Sequence, residues 1–450
     1  MKSLLDKVNA KLNAQGGFLK AVSVLVGGTA FAQLIGFLCL PILTRLYTPE
    51  DYSVLGVYVA IVAILAVISC LRFDIAIPIP ENENDGKALL LLSFLSNTIF
   101  SIILYVVLFI SYPYIQHYKI IDQLSFWIWL IPLGVFVSGF YSALQFWATR
   151  HKRFKDIAKT RMTQAISGNT ASLAGGMFSV GFGGLIIGQL LNFSGGLFKL
   201  AVSAKKDLAI VKSSPLEATF VKYSNFPKYS TFEAFANTSS IQLPLIIIAS
   251  LLIGPEVGLL MMAMRILAMP MGLIGGAVSQ VYLAEAPKKY KLNQLKVYTQ
   301  NILIKLINIS SLIIGGGLII SVIIPFVLGE NWARTGELIF IMIPWFVMQF
   351  IASPISMVMH IKNQQKIMLY LTVFGLIVKL TSILFAYFFL KKYMVEAYIY
   401  SSFVFYCVCF FVFGSYVGLK LKDYFKIIKA THFLMLSIIL YALYGAWFLT

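Results

Sequence analysis

Charge is what this 450-residue sequence has least of: 12% of its residues are charged against 59% hydrophobic, with a mean hydropathy of +0.85. Soluble domains carry about 25% charge, so a water-soluble globule is excluded. Cysteine is also scarce. Cys39, Cys70, Cys407 and Cys409 lie inside apolar runs, where oxidant access and disulfide geometry are unfavourable, and they read as small apolar fillers. His117, His151, His360 and His432 are scattered and no CxxC or HExxH spacing occurs, so neither a metal site nor a cofactor is expected. The alternation of apolar and polar residues over about 10 positions that marks barrel strands is missing as well.

What is present is apolar runs of about 20 residues, the length that crosses a hydrocarbon core of about 30 Å as a helix. The runs fall near 21–46, 52–72, 88–112, 125–148, 157–180, 182–203, 229–253, 257–283, 301–328, 337–361, 366–390 and 395–419, with a thirteenth candidate at 431–449. The weakest separation is Gly181-Phe-Gly-Gly184, which also suits a re-entrant turn. The pattern predicts an all-α polytopic membrane protein of two six-helix bundles, with 12 core spans and a thirteenth. Its expected divisions are a cytoplasmic leader (1–20), a first bundle (21–203), a cytoplasmic linker (204–228), a second bundle (229–419), and a basic loop with an added C-terminal span (420–450). In the leader, Leu4, Leu5, Val8 and Leu12 recur at helical spacing between lysines, which suits either a helix on an anionic leaflet or a frayed polar segment. No small-residue cleavage site follows, so the first span is expected to be an uncleaved anchor.

The cations are distributed unevenly. Of 36 lysines and arginines, the loops on one side hold only Arg45, Lys119, Arg334, Lys391 and Lys392. Arg265, Lys305 and Lys379 fall within spans, and the rest collect in the loops of the other side and the N-terminus. That asymmetry predicts a cytoplasmic N-terminus and makes the net charge of +18 largely topological. The basic groups are dispersed with no stacking aromatics between them, so nucleic acid is not an expected partner. A short outer loop follows the first span of each half, Tyr47-Thr-Pro49-Glu50-Asp51-Tyr52 and Gly254-Pro255-Glu256-Val257-Gly258. Halves with six crossings each share one orientation, which implies a parallel internal repeat.

Ionisable groups deep in a bilayer are costly and usually face a cavity or a partner. Arg265 lies about a third of the way into the eighth span and Lys379 near the middle of the eleventh. Each either lines a functional cavity or pairs with another helix, whereas Lys305 is near enough to its span's end to snorkel. Ser230, Glu233, Asn237, Ser240 and Pro244 recur at spacings of three and four in the seventh span, which puts a polar stripe on one helical face. Thr29, Gln33, Gly36 and Pro41 form a weaker counterpart in the first. Glu233 can couple transport to H⁺ or Na⁺, or serve as a fixed partner for Lys228. Arg72 and Asp74 end the second span, and Glu81-Asn-Glu83-Asn-Asp85 reads as a capped helix end with a solvated loop. Fixed cations in a cavity would replace the lost hydration of a pyrophosphate, and arginine's fork suits its oxygens.

The segments Leu43-Thr-Arg45-Leu-Tyr-Thr-Pro49-Glu-Asp-Tyr52, Leu71-Arg-Phe-Asp74-Ile-Ala-Ile-Pro78, Phe226-Pro-Lys-Tyr-Ser230, Leu243-Pro244 and Met264-Arg265-Ile-Leu resemble the bacterial polysaccharide-export flippases. These are members of the multidrug and oligosaccharidyl-lipid exporter superfamily. The resemblance implies paired six-helix bundles in the bacterial inner membrane that alternate access. It implies a substrate of the undecaprenyl-pyrophosphate-linked oligosaccharide class, such as an O-antigen repeat unit, with a polysaccharide polymerase and assembly proteins as partners. The candidate cavity residues are Arg265, Lys379, Arg45, Arg72, Asn237, Ser240 and Gln33, with Glu233 for ion coupling.

Two other functions compete. A cation-coupled multidrug exporter of the same superfamily would want acidic cavity groups, whereas the charges buried here are mainly basic. An integral membrane polymerase would need sizeable external loops, and these are short.

Overall fold

The computed structural model describes residues 17–208, 214–252, 254–362 and 364–429, together with 441, 442 and 445. Among the described residues the regular structure is helical throughout, as backbone in hydrocarbon demands, because a helix satisfies every N–H and C=O internally. Helix covers most of each of the twelve expected spans, with 182–203 and 257–283 each divided between two helices. Ten helical stretches are long and apolar enough to cross a membrane. The other two are polar Phe154–Met177 and the interrupted stretch that begins at Glu256. The thirteenth candidate and most of the leader lie outside the described residues.

The chain forms two compact units that divide between Ile246 and Ile247. The first contains α1 (Gly17–Leu46), α2 (Pro49–Ser69), the short α3 (Phe73–Ala76), α4 (Glu83–Ile115), α5 (Lys119–Leu124), α6 (Leu130–Arg150), α7 (Phe154–Met177), α8 (Gly183–Ser194), α9 (Leu197–Leu208) and α10 (Leu216–Lys222). α11 (Thr231–Leu251) runs across the division. The second contains α12 (Glu256–Pro270), α13 (Gly276–Lys291), α14 (Leu295–Leu328), α15 (Ala333–Ile355), α16 (Met357–Ile361), α17 (Gln365–Phe389), α18 (Met394–Val417) and α19 (Leu421–Lys429).

The helix boundaries have local causes. Thr48 caps α2 by accepting from the Asp51 N–H at 3.2 Å, while the Asp51 carboxylate accepts from the Thr48 N–H at 2.9 Å. Pro49 occupies the first turn, where a missing N–H costs nothing. The Gly181–Gly184 break is a tight reversal rather than a re-entrant segment. Ser179 and Gly181 take φ of 56° and 64°, and the Val180 N–H closes the end of α7 on the Gly175 carbonyl at 3.0 Å. A Cβ on Gly175 would run into the Gly184 backbone, so α7 and α8 touch through their main chains.

Inside the two units part of the helix pairing corresponds, although the first unit adds a close pairing of α1 with α7. α6 packs against α2, α4, α8 and α9, while α15 packs against α12, α14 and α18. Likewise α7 packs on α8, and α17 on α18. The fourth long helix of each half is therefore the hub, a likeness in keeping with the internal repeat that the two outer-loop motifs implied.

Candidate functional site

In the first unit, α2 gives way to α3 through Leu71 and Arg72, with φ of 49° and 58°. Two consecutive side-chain-bearing residues in the left-handed region cost about 1–3 kcal/mol each. The reversal sends Phe73 and Ile77 into the core. It also carries Asp74 inward to 4% exposure, where one carboxylate oxygen accepts from Ser142 Oγ at 2.6 Å. Arg72 is half-buried, and its Nε has no hydrogen-bond partner.

The acidic run that follows is the capped helix end with a solvated loop expected from the sequence over Glu81, Asn82 and Glu83, which are exposed, but not at Asp85. Asn82 caps α4, and Asp85 is buried, accepting from Ser214 Oγ at 2.7 Å and Lys222 Nζ at 2.6 Å. Glu83 meets Arg150 at 3.2 Å. Carboxylates spaced along one helix start thus hold α10 and the end of α6 in place. Arg150 also donates to the carbonyls of Ile77 at 2.9 Å and Pro80 at 2.6 Å. A Cβ on Gly86 would lie 2.8 Å from its Cζ, so glycine there makes room for the guanidinium. The hydrogen bond that Lys222 donates to Asp85 holds its ammonium above the ordinary lysine range. Arg153 is similarly tied to Asp207 at 2.7 Å.

The polar stripe of the seventh span changes character along its length. Ser230 lies in a π-helical turn, Phe226–Ser230. Glu233 and Asn237 are exposed, whereas Ser240 is buried and donates to the Asn237 carbonyl at 2.9 Å. Among the described residues no ion pair joins Glu233 to Lys228. Gln33, on α1, is half-buried with its Oε1 lacking a hydrogen-bond partner. Arg45 is exposed in the last turn of α1, where a cation also complements the helix dipole.

In the second unit the two intramembrane cations differ. Arg265 is exposed on α12. Lys379 is only 3% exposed on α17, with its ammonium 4.9 Å from the Phe405 ring of α18, a cation–π contact that partly offsets desolvation. They belong to different helix pairs, α12 with α15 and α17 with α18.

Sequence reasoning missed a network around Arg334. Its guanidinium bonds Glu337 at 2.6 Å and Glu396, and approaches Glu256 at 4.0 Å. This ties the starts of α12, α15 and α18 together. The one available signal was Glu256, which lies in the second outer-loop motif. Among the described residues, no group of three or more His, Cys, Asp or Glu side chains is placed to hold a metal.

The charge inventory therefore separates cations held by the fold from cations open to a ligand. Arg150, Arg153, Lys222 and Arg334 are engaged by carboxylates and carbonyls, whereas Arg45 and Arg265 take part in no ion pair among the described residues. An exposed arginine on a membrane helix can receive an anionic group through two parallel N–H donors.

The pairing of equivalent helices and these exposed arginines belong to a chain whose residues 42–337 match the family described as polysaccharide biosynthesis protein. The chain belongs to this family. Solved structures share its fold at low sequence identity. The lipid II flippase MurJ in an inward closed conformation is 14% identical with a TM-score of 0.68, over 94% of this chain and 98% of that one. A multidrug resistance MATE family transporter of the MOP superfamily, outward-facing, is 12% identical with a TM-score of 0.61, over 91% and 96%. An inward-facing MATE structure gives 14% and 0.58, over 88% and 94%. No curated protein matches the chain. This polysaccharide biosynthesis family member is a multi-pass membrane protein with the fold common to MurJ and the MATE transporters.

Proposed function

We propose that the protein is a flippase. It carries an undecaprenyl-pyrophosphate-linked oligosaccharide, such as an O-antigen or related repeat unit, from the cytoplasmic to the periplasmic leaflet of the bacterial inner membrane by alternating access. The observation that carries this reading is the match of residues 42–337 to a polysaccharide biosynthesis family on a fold shared with a lipid II flippase. The N-terminus is assigned to the cytoplasm because the short loops on that side collect the lysines and arginines. Arg265 and Arg45 are assigned to the pyrophosphate, since both are exposed and neither is held in an ion pair among the described residues. Lys379, Arg72, Asn237, Ser240 and Gln33 are the further residues assigned to the substrate, and the flippase would deliver its product to a polysaccharide polymerase.

The test is translocation of a defined undecaprenyl-pyrophosphate oligosaccharide in oriented vesicles. Arg265→Ala is expected to abolish translocation while leaving insertion into the membrane intact, and full activity of that variant would overturn the assignment. A cation-coupled multidrug exporter is the competing reading, favoured by the exposed carboxylate of Glu233. Uptake of a lipophilic cation in place of the lipid-linked glycan would select it. Glu233 is assigned to H⁺ or Na⁺ coupling. Glu233→Gln is expected to transport without responding to the ion gradient, and an unchanged gradient dependence would refute the role.

A further inference from the structure

α19 follows α18 after a sharp reversal. Gly418 takes φ of 90°, and the Leu419 N–H bonds the Gly414 carbonyl at 2.9 Å, an end that favours glycine. The Asp423 carboxylate then accepts from the Lys420 N–H at 2.8 Å and meets Lys296 of α14 at 2.6 Å. These contacts seat α19 beside the end of a membrane span.

Its faces are chemically distinct. Tyr424 and Ile427 point inward and help to line an apolar cavity of about 300 Å³ together with Phe410, Phe411, Ile307 and Val347. Leu421 and Phe425, one turn apart, are 73% and 66% exposed. Lys422 and Lys426, also one turn apart, occupy the adjoining exposed face. Asp423, the helix's acid, is already neutralised by Lys296, which leaves the outward charge positive.

A helix with apolar side chains both inside and outside, and lysines along the margin, is stable where acyl chains give way to headgroups. From this arrangement we infer that α19 is an interfacial anchor that binds anionic phospholipid of the adjacent leaflet. Leu421 and Phe425 enter the acyl boundary and Lys422 and Lys426 meet the headgroup phosphates. A protein partner on the same face would instead require carboxylates to match the lysines, and water would meet two bare apolar side chains. The lipid contact does not depend on the transported substrate. Only the identity of the leaflet rests on the orientation assigned above.

The full-length protein in nanodiscs of phosphatidylcholine, with and without phosphatidylglycerol, supplies the test. A spin label placed by Phe425→Cys, in a background lacking the four native cysteines, is expected to be reached by oxygen and shielded from a water-soluble nickel chelate. A label at Lys422→Cys should show the reverse. Phosphatidylglycerol retained by the native-cysteine protein, weighed by mass spectrometry, should fall about fivefold for each lysine removed in Lys422→Gln and Lys426→Gln, as expected for a cation at an anionic surface. Free access of the chelate to position 425 overturns the anchor. Equal retention of phosphatidylglycerol by wild type and the double variant overturns the anionic preference, and this measurement stands even if the cysteine-free protein does not fold.

Discussion

The two units each have a hub helix but tie it at opposite ends. In the first, the tie is Arg150, the last residue of α6, gripped by Glu83 and the carbonyls of Ile77 and Pro80. In the second it is Arg334, in the first turn of α15, gripped by Glu337, Glu396 and Glu256. Their packing differs too. α7 and α8 meet through glycine backbone at Gly175 and Gly184, whereas their counterparts α17 and α18 meet through the Phe405 ring, which lies where a Cβ on Gly375 would be. A repeated architecture therefore does not require repeated chemistry. It needs one buried hub, one charged tie and close surfaces, each supplied by whatever residues are available in that half.

The comparison is broken most severely by Arg334→Ala. Glu396 is 8% exposed, and without the guanidinium it and its neighbours become an unpaired acidic cluster. Stranding a buried partner in this way costs about 3–5 kcal/mol. A fall of that size in unfolding free energy in detergent is expected, with Arg334→Lys recovering part of it because the charge remains but the fork does not. If Arg334→Ala unfolds like wild type, the tie contributes nothing and the parallel with Arg150 fails.

The all-helical, multi-span architecture and the placement of its spans were legible in the sequence because apolar runs interrupted by lysines directly encode crossings. The internal repeat was visible in the paired outer-loop motifs. Charge partners were not legible. Asp85 and Lys222 lie far apart in the chain, and the reading of 81–85 as solvated loop failed at Asp85 alone, because nothing local announces α10 as the element that covers it. Arg334 was read as a loop cation for the same reason, since Glu396 reaches it from a helix start 62 positions away. Arg265 and Lys379 were read alike, as intramembrane cations that line a cavity or pair with another helix. Their difference in exposure depends on which helix face is covered, which hydropathy alone does not fix.

A smaller break is aimed at the first unit. Gly175→Leu forces a side chain into the Gly184 backbone, where no flexible atom can yield, so α7 must separate from α8. Overpacking of this kind costs about 1–3 kcal/mol. The expected result is a lowered thermal midpoint, with wild-type stability sinking the claim of main-chain contact. The same enlargement at Gly315 of α14, where a Cβ meets nothing within 4 Å, should leave the midpoint unchanged and so sharpens the contrast.

The smallest expected effect is electrostatic and concerns the seat of α19. Lys296 donates to Asp423 and holds its carboxyl below the usual carboxylate range, aided by the Lys420 N–H. A depressed carboxylate pKa means that the folded state binds protons less readily than the unfolded one. The contribution is therefore present at neutral pH and is lost as pH falls through the folded value. Cleavage within 420–429 by an acid-tolerant protease should accordingly remain slow through mildly acidic pH and accelerate only below the ordinary aspartate range. In Lys296→Gln the acceleration should begin at higher pH, because the cation that lowers the carboxyl is gone. Coincident profiles for the two proteins would show that the ion pair does not seat the helix, leaving Tyr424 and Ile427 as its remaining attachment.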